Sequence, residues 1–477
     1  MKRIFITLGL FLASALAWAQ SESDAFRMAQ FSYGGTARFL GTGGAMNAIG
    51  GDFSTLSTNP AGIGLFKRLD FNTSIGFNTY TSESMTKFTP AYTNLGIIIP
   101  IALKQDKAWK FIQFGFGFNR VNDFNETFLT ERVSDNSSLM DAYIKKANGN
   151  NFNHLNPFDT DLALNLLLDT ISGRTNQYWS PFQNQSLEQY NEINRRGSVN
   201  EMVFSFGSNY NDKLFIGATI GVPFLRFNSW ECYQETDMDD AVSGFQSYNI
   251  EDNLKTTGRG VNLKLGIICQ PLDFLRVGVA FHTPTYYSLT DNFSRQIQVI
   301  YDDGGWESVK ANQQKFNYSL TTPYHITANL GFILNKLGFI SLEYEFADHS
   351  FTKMSAFSNS SMDDKRAFRE ENSLIRAKYQ PQHIAKIGGE IMALKGFYVR
   401  AGYAYATNPY RNNINNGAVH TASGGIGFKG QSFYMDFAYN FKYRAQKHWM
   451  YDPELFGSPL TVKFNNHLIS VTVGFKI

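Results

Sequence analysis

The last nine residues of the chain, Ile469–Ile477, read ISVTVGFKI. Large apolar residues occupy every odd position of this segment, and serine, threonine, glycine and lysine occupy the even positions. Successive side chains of a β-strand point to opposite faces of a sheet. This period of two therefore predicts a strand with one apolar face and one polar or small face.

Segments with this alternation recur along most of the chain. We count about fourteen of them, near residues 68–81, 91–104, 109–121, 198–210, 213–230, 258–270, 273–287, 321–334, 337–350, 381–394, 396–408, 418–429, 432–445 and 463–477. Single-chain bacterial barrels have an even number of antiparallel strands. The count therefore favours a closed barrel.

The links between these segments are alternately short and long. The longest are predicted as outer loops at 122–197, 231–257, 288–320 and 351–380. Transmembrane barrels have short periplasmic turns and longer outer loops, whereas a β-sandwich has no reason to alternate in this way. The sequence thus predicts an all-β fold: a transmembrane antiparallel β-barrel over 68–477, with apolar residues toward lipid and polar residues toward the lumen. A secreted all-β protein of several domains is the alternative.

The N-terminus has the features of a secretion signal. Lys2 and Arg3 precede an apolar stretch, and Ala17-Trp18-Ala19 offers a cleavage site, so we expect residues 1–19 to be removed. No later segment contains ~18 consecutive apolar residues, which excludes a helical membrane protein.

The net charge is only +2 and basic runs are absent, which argues against nucleic acid as a partner. We expect a monomer in the outer membrane of a Gram-negative bacterium, with outer-membrane lipids and the barrel-assembly machinery as partners.

Residues 20–67 precede the first predicted strand and are rich in glycine. A barrel of this width encloses a lumen that is either filled or left as a channel, so we expect this segment to form an N-terminal plug, or hatch, inside the barrel. Its most distinctive part is Asn59-Pro60-Ala61-Gly62. Pro60 fixes its own φ and restricts Asn59, which predicts a rigid corner between plug and wall. The corner is either purely structural or helps to gate a ligand path.

Two elements of this segment resemble the N-terminal hatch of the FadL/TodX family of outer-membrane hydrophobic-compound transporters. They are Ala37-Arg38 before a glycine-rich run, and Asn-Pro-Ala-Gly at 59–62 before the first strand. The resemblance implies a fourteen-stranded barrel with a hatch, and passive transport of hydrophobic or amphipathic molecules such as long-chain fatty acids. It also implies an apolar groove in the outer loops. Leu162, Leu166 and Leu167 share one face of a predicted helix and are the candidates, although they could simply pack the loops onto the barrel mouth.

A fatty-acid ligand would need a cation in the lumen, because an unpaired buried carboxylate is costly. Alternation assigns four candidate cations to the lumen face: Lys264, Arg276, Lys386 and Arg400. Several acidic residues point inward as well, so these cations could instead brace the barrel through ion pairs.

Catalytic and metal-binding motifs are absent from the sequence, so we predict no enzyme activity, no metal and no cofactor. Cys232 and Cys269 are predicted at opposite ends of neighbouring strands and should remain free thiols. The hypothesis is therefore a passive channel for lipid-like small molecules. A secretion-accessory or structural barrel and a porin for polar solutes are the alternatives.

Overall fold

The computed structural model describes residues 21–477 except 104–107, 135, 165, 358 and 359. The signal segment predicted at 1–19 lies outside these residues. The described strands are β1 (Asp70–Thr81), β2 (Thr86–Ala102), β3 (Trp109–Asp123), β4 (Glu126–Val133), β5 (Asp169–Thr170), β6 (Tyr178–Trp179), β7 (Glu188–Tyr210), β8 (Leu214–Thr236), β9 (Phe245–Leu272), β10 (Leu275–His282), β11 (Tyr286–Tyr301), β12 (Trp306–Lys310), β13 (Gln314–Thr321), β14 (His325–Ile333), β15 (Gly338–Asp348), β16 (Lys353–Ala356), β17 (Pro381–Leu394), β18 (Phe397–Ala406), β19 (Val419–Lys429), β20 (Phe433–His448) and β21 (Leu460–Lys476).

The described strands form a closed antiparallel barrel, because β1 pairs with β2 on one side and with the last strand, β21, on the other. Over the part of the chain that is described, the wall has fourteen strands, four of which are divided into two segments: β3 with β4, β10 with β11, β13 with β14, and β15 with β16. Pro284 and Pro323 lie at two of the breaks, where a residue without an N–H cannot continue the ladder. The predicted barrel and its strand number are confirmed.

The outer surface near the short turns is apolar, as the alternation predicts. On β3, Phe114 and Phe116 are each 47% exposed, whereas Gln113 of the same strand faces inward and is fully buried. Three exposed tyrosines each hydrogen-bond Nδ1 of a histidine on the neighbouring strand at 2.7 Å: Tyr344 with His383, Tyr403 with His420, and Tyr439 with His467. Aromatic residues with a polar tip are typical of a membrane–water interface. In the described residues, no helix is long and apolar enough to cross a membrane.

The outer ends of the strands correct the predicted loop bounds. The strands β7, β8 and β9 continue far beyond their apolar outer surface, so the loops predicted at 122–197 and 231–257 shrink to about 134–187 and 237–244. The loops predicted at 288–320 and 351–380 also contain strand residues. In these extensions the alternation continues, but the apolar residues now face inward and the polar residues face outward. Leu225 and Tyr248 point inward and are buried, while Arg226 and Asn253 point outward.

The described residues contain six α-helices, in the N-terminal segment and the outer loops: α1 (Glu22–Ala29), α2 (Ala37–Gly41), α3 (Leu139–Ala147), α4 (Thr160–Ala163), α5 (Met362–Lys378) and α6 (Pro453–Phe456). Short 3-10 helices span Phe53–Ser57, Pro60–Leu65, Phe152–His154, His349–Phe351 and Arg411–Asn413. We call residues 21–66 the N-terminal segment. It contacts inward-facing residues of β2, β3, β7–β9 and β18–β21. The apolar side of α1 packs with Phe227, Leu289 and Ile375 of the wall and α5.

The two cysteines are free in the structure, as predicted. Cys232 lies opposite Glu251 in the outer extension of β9, whereas Cys269 lies opposite Leu214 at the short-turn end of the same strand. Their Cα atoms are therefore far beyond the ~7 Å that a disulfide allows.

The native cysteines provide a test of orientation. With the long loops outside the cell, a membrane-impermeant maleimide should label Cys232 on intact cells and should reach Cys269 only after the outer membrane is permeabilised. The single variants Cys232→Ser and Cys269→Ser assign the label to one site, measured by mass spectrometry. Labelling of Cys269 alone on intact cells would mean that the barrel is inserted the other way round.

Candidate functional site

A lumen cavity of about 250 Å³ lies between the N-terminal segment and the wall. This volume is slightly below the range of about 300–1,000 Å³ for small-molecule sites. One side is apolar, with Phe31, Phe39 and Leu40 from the N-terminal segment facing Ile384 and Val419 of the wall. Polar and charged residues of β3, β4, β20 and other wall strands, including Glu345 and Lys386, line the rest, so the cavity is amphipathic.

The acidic residues of this cavity already have partners. Glu126 forms ion pairs with both Arg195 and Arg444. Asp123 pairs with Arg120 at 3.3 Å and accepts a hydrogen bond from the hydroxyl of Tyr80 at 2.7 Å. These carboxylates are neutralised by the wall and therefore do not repel an anionic ligand strongly.

One cation of the cavity, Lys442, differs from the others in its hydrogen-bond partner. Lys442 of β20 points inward and donates a hydrogen bond to the hydroxyl of Ser32 in the N-terminal segment. Among the described residues, no carboxylate lies within ion-pair distance of its Nζ. Lys442 is half-buried, and an ammonium whose direct partner in the described protein is a neutral hydroxyl is incompletely compensated. Lys442 is therefore a suitable group to receive the negative end of an amphipathic ligand.

Helix α2 divides this cavity from a second one near the short turns. Phe39 and Leu40 line the first cavity, whereas Arg38 of the same helix lines the second, which measures about 290 Å³. Basic residues surround the second cavity: Arg38, Lys67, Arg68, Arg276, Lys429 and Lys476. The two cavities therefore lie on different sides of α2.

Several contacts hold α2 and the turn after it against the wall. The backbone N–H of Ala37 donates to Thr472 Oγ1 at 2.6 Å, and Arg38 pairs with Glu390 at 2.8 Å. The following turn needs Gly43, whose φ is +65°. The wall makes room for this turn with Gly388 and Gly402, where an added Cβ would lie about 2.1–2.2 Å from atoms of Thr42.

The four cations predicted from the sequence do not meet in one site. Lys264 is 1% exposed and pairs with Glu201. Lys386 pairs with Glu343 at 2.7 Å and with Glu345 at 3.2 Å, and it lines the lumen cavity. These contacts favour bracing as the role of Lys264 and Lys386.

The other two predicted cations lie nearer the short turns. Arg400 pairs with Glu390 at 2.6 Å and with Asp436 at 2.7 Å. Arg276 donates to the carbonyl oxygen of Ile49 at 2.6 Å and lines the second cavity. Lys442 was missed by the sequence prediction, although the alternation of β20 already assigns it to the lumen face.

The Asn-Pro-Ala-Gly corner packs against the wall near the short turns. The Asn59 side chain accepts a hydrogen bond from the backbone of Ala61 at 3.2 Å, so it caps the 3-10 helix that begins at Pro60. An added Cβ on Gly62 would lie 2.4 Å from Thr55 Oγ1, which explains why a glycine is needed. None of these four residues lines the described lumen cavity, and a gating role for them stays a prediction.

The outer-loop leucines lie inside a loop core. Leu162 and Leu167 are 7% and 1% exposed, and Leu166 packs against the same cluster. The predicted helix around these leucines ends at Ala163, because Leu164 has an extended backbone (φ −63°, ψ 136°), so Leu166 and Leu167 lie beyond the helix. Residues Met140, Tyr143 and Ile144 of α3 belong to the same loop core. Burial of Leu162 and Leu167 favours loop packing over an exposed groove.

A contact between α1 and α5 joins the N-terminal segment to an outer loop. The backbone N–H of Glu22 donates to Glu371 at 2.8 Å, and Lys378 binds the Glu22 carboxylate. Burial, together with the nearby charges of Glu22 and Asp24, raises the pKa of Glu371 to about 7. A carboxyl group with a raised pKa stabilises the folded contact fully below its ordinary pKa and loses that contribution as the pH rises through about 7.

We therefore expect the α1–α5 contact to loosen above neutral pH. Hydrogen exchange of residues 22–29 should be slower at about pH 5.5 than at about pH 8.5, after correction for the intrinsic rates. In Glu371→Gln the corrected protection should become independent of pH. Glu370→Gln, at an exposed residue that pairs with Arg366, is the control and should keep the pH dependence. Equal pH dependence in both variants would rule out Glu371 as the responsible group.

Comparisons with known proteins identify the fold. No family model matches the sequence, and no curated protein matches it. A Pseudomonas aeruginosa FadL homologue matches with a TM-score of 0.55 and 14% identity, over 93% of this chain and 98% of its own. The P. putida toluene transporter TodX matches at 0.52 and 12%, over 94% and 99%. The CymD monoaromatic hydrocarbon channel matches at 0.52 and 12%, over 93% and 98%. The predicted resemblance is thus confirmed at the level of the fold.

Proposed function

We propose that the protein is a passive outer-membrane channel for hydrophobic or amphipathic small molecules. The observation that carries this proposal is the amphipathic lumen cavity, with an apolar wall on one side and Lys442 on the other. The solved structures with this fold that are named above include a toluene transporter and a monoaromatic hydrocarbon channel, which supports cargo of low polarity. Residues 1–19 would direct export, and the barrel would be inserted with its long loops outside the cell.

The N-terminal segment acts, in this proposal, as a plug. Its glycines and small residues fit closely against the wall, and α2 separates the lumen cavity from the basic cavity. A porin for polar solutes would gain nothing from such a partition. Transport then requires a small displacement of α2 and the turn at Gly43. The plug would comprise residues 20–67 and the barrel the rest of the mature chain.

Long-chain acids are the ligand class that best uses both sides of the cavity. The alkyl chain would lie along Phe31, Phe39 and Leu40, and the carboxylate would bind Lys442. A charge-assisted hydrogen bond contributes about 1.5–3 kcal/mol. The secretion-accessory alternative uses neither the apolar wall nor Lys442.

Native mass spectrometry of the purified protein tests this proposal. A straight-chain alkyl acid, the alcohol of equal length and a disaccharide are offered at equal concentration. We expect a one-to-one complex with the acid, a weaker complex with the alcohol and none with the disaccharide. Binding of the disaccharide alone would favour a polar-solute porin and refute the proposal.

A further inference from the structure

Beyond the apolar band, the outward face of β7, β8 and β9 is polar and basic, and that of the adjoining β11 is polar. On β8 the change occurs between Phe224 and Arg226, and on β9 between Val261 and Arg259. A strand that extends into water needs polar residues there, but these need not all carry the same charge. The charged residues next to the apolar band on this face are nevertheless all positive.

Four cations form a compact group on this face: Arg196, Arg226, Lys255 and Arg259. Arg226 lies opposite Thr257, so Lys255 and Arg259 are its diagonal neighbours on β9. Arg196 lies opposite Asn228, one outward position beyond Arg226 on β8. Diagonal neighbours are about 7–8 Å apart, which long side chains can span.

None of the four cations has a counter-ion within the described protein. All four are exposed, and none forms an ion pair or a side-chain hydrogen bond with a described residue. The nearest acidic residues on the same outward face are Glu192 and Glu251, farther from the apolar band. Adjacent like charges repel one another, so the group is electrostatically complementary to an anion that comes from outside the chain.

The same face contains a cavity of about 680 Å³ beside the cations. Arg196, Lys255 and Trp230 line it together with asparagines 194, 228, 253 and 292. Amide groups and an aromatic ring are suited to sugar hydroxyls and to the apolar face of a sugar ring. The cavity therefore adds a polar, sugar-compatible surface to the basic group.

We propose that this face binds the phosphorylated glycolipid headgroup of the outer leaflet. The phosphates bind Arg226 and Arg259, which lie directly beyond the lipid-facing residues, because guanidinium groups pair well with phosphate. The sugars lie against Trp230 and the asparagines, and the acyl chains continue along Phe224 and Val261. This inference rests on the outer-membrane location in the proposed function, and it is independent of the transported ligand.

Binding of purified lipid A to the full protein in detergent tests the inference. Bisphosphorylated lipid A should bind in a salt-dependent manner, and enzymatically dephosphorylated lipid A should bind at least roughly tenfold more weakly. The double variant Arg226→Gln/Arg259→Gln should lose roughly tenfold or more in affinity for the bisphosphorylated form. The control Lys310→Gln/Lys353→Gln removes two exposed cations elsewhere on the outer strands and should bind like the wild type.

Three results would overturn the inference. They are equal binding of both lipid A forms, unchanged affinity in the Arg226/Arg259 variant, and binding of an acidic polysaccharide in place of lipid A. The comparison of the two lipid forms on the wild-type protein needs no variant, and heat-dependent gel migration confirms that each variant barrel is folded. The Arg226/Arg259 variant should still transport hydrophobic cargo. Failure of the lipid A inference can therefore be distinguished from failure of the proposed channel function.

Discussion

Replacing Lys442 with glutamine should weaken uptake of alkyl acids by roughly 10–100-fold and leave neutral analogues of equal length unaffected. The expected loss corresponds to one charge-assisted hydrogen bond of about 1.5–3 kcal/mol. Glutamine can keep a hydrogen bond to Ser32, so the N-terminal segment should stay in place. The measurement is the uptake rate of a radiolabelled acid and of the matching alcohol by cells that make either protein.

The matched control for this prediction is Lys447→Gln. Lys447 is on the same strand, is half-buried, binds the carbonyl oxygen of Asn413 at 3.1 Å and does not line the lumen cavity. It should leave uptake of both compounds unchanged. Equal losses for acid and alcohol in Lys442→Gln would show that Lys442 only supports the structure, and that the cargo does not need a carboxylate.

Enlarging Gly388 and Gly402 to alanine should increase the permeability of the barrel to small polar solutes severalfold. The two Cβ atoms would lie about 2.1–2.2 Å from atoms of Thr42, a distance at which the backbone has to move. The turn at Gly43 and the adjoining α2 would be displaced from the wall, and the partition between the two cavities would open. Conductance in planar bilayers measures this change directly.

Gly424→Ala provides the control, because its Cβ would find only Arg400 O, at 3.8 Å. This variant should conduct like the wild type. Deletion of residues 21–66 should raise conductance further, provided that the purified barrel retains its heat-dependent gel migration. Unchanged conductance in both the double-alanine variant and the deletion would mean that the N-terminal segment is no barrier, and the plug would be disproved.

The barrel could be predicted from the sequence because its physical constraint is simple. A strand in lipid must show apolar residues on one face, and Ile469–Ile477 displays this without interruption. The outer extensions were missed for the same reason. Beyond the membrane, water lies outside the wall and the packed loops lie inside it. The apolar residues of β8 therefore move from the outward face, which ends with Phe224, to the inward face, which begins with Leu225. This shift by one position interrupts the regular alternation.

The candidate site was predicted less well, because pairing between distant strands decides which cations are free. The alternation places both Lys264 and Lys442 on the lumen face, and no feature of the neighbouring sequence distinguishes them. In the fold, Lys264 pairs with Glu201 from β7, whereas the one direct side-chain partner of Lys442 among the described residues is the hydroxyl of Ser32. The leucine pattern in the long loop was misleading in a similar way, because burial there is set by contacts with Phe245 and Tyr248 rather than by one helical face.

The most direct test of the central claim is uptake by intact Gram-negative cells that make this protein as their one added channel. Toluene, a long-chain acid and a disaccharide are supplied as labelled tracers, and initial rates are compared with those of cells that carry an empty vector. The account predicts faster entry of toluene or the acid and no change for the disaccharide. Faster entry of the disaccharide without any gain for the two apolar compounds would contradict a hydrophobic-compound channel.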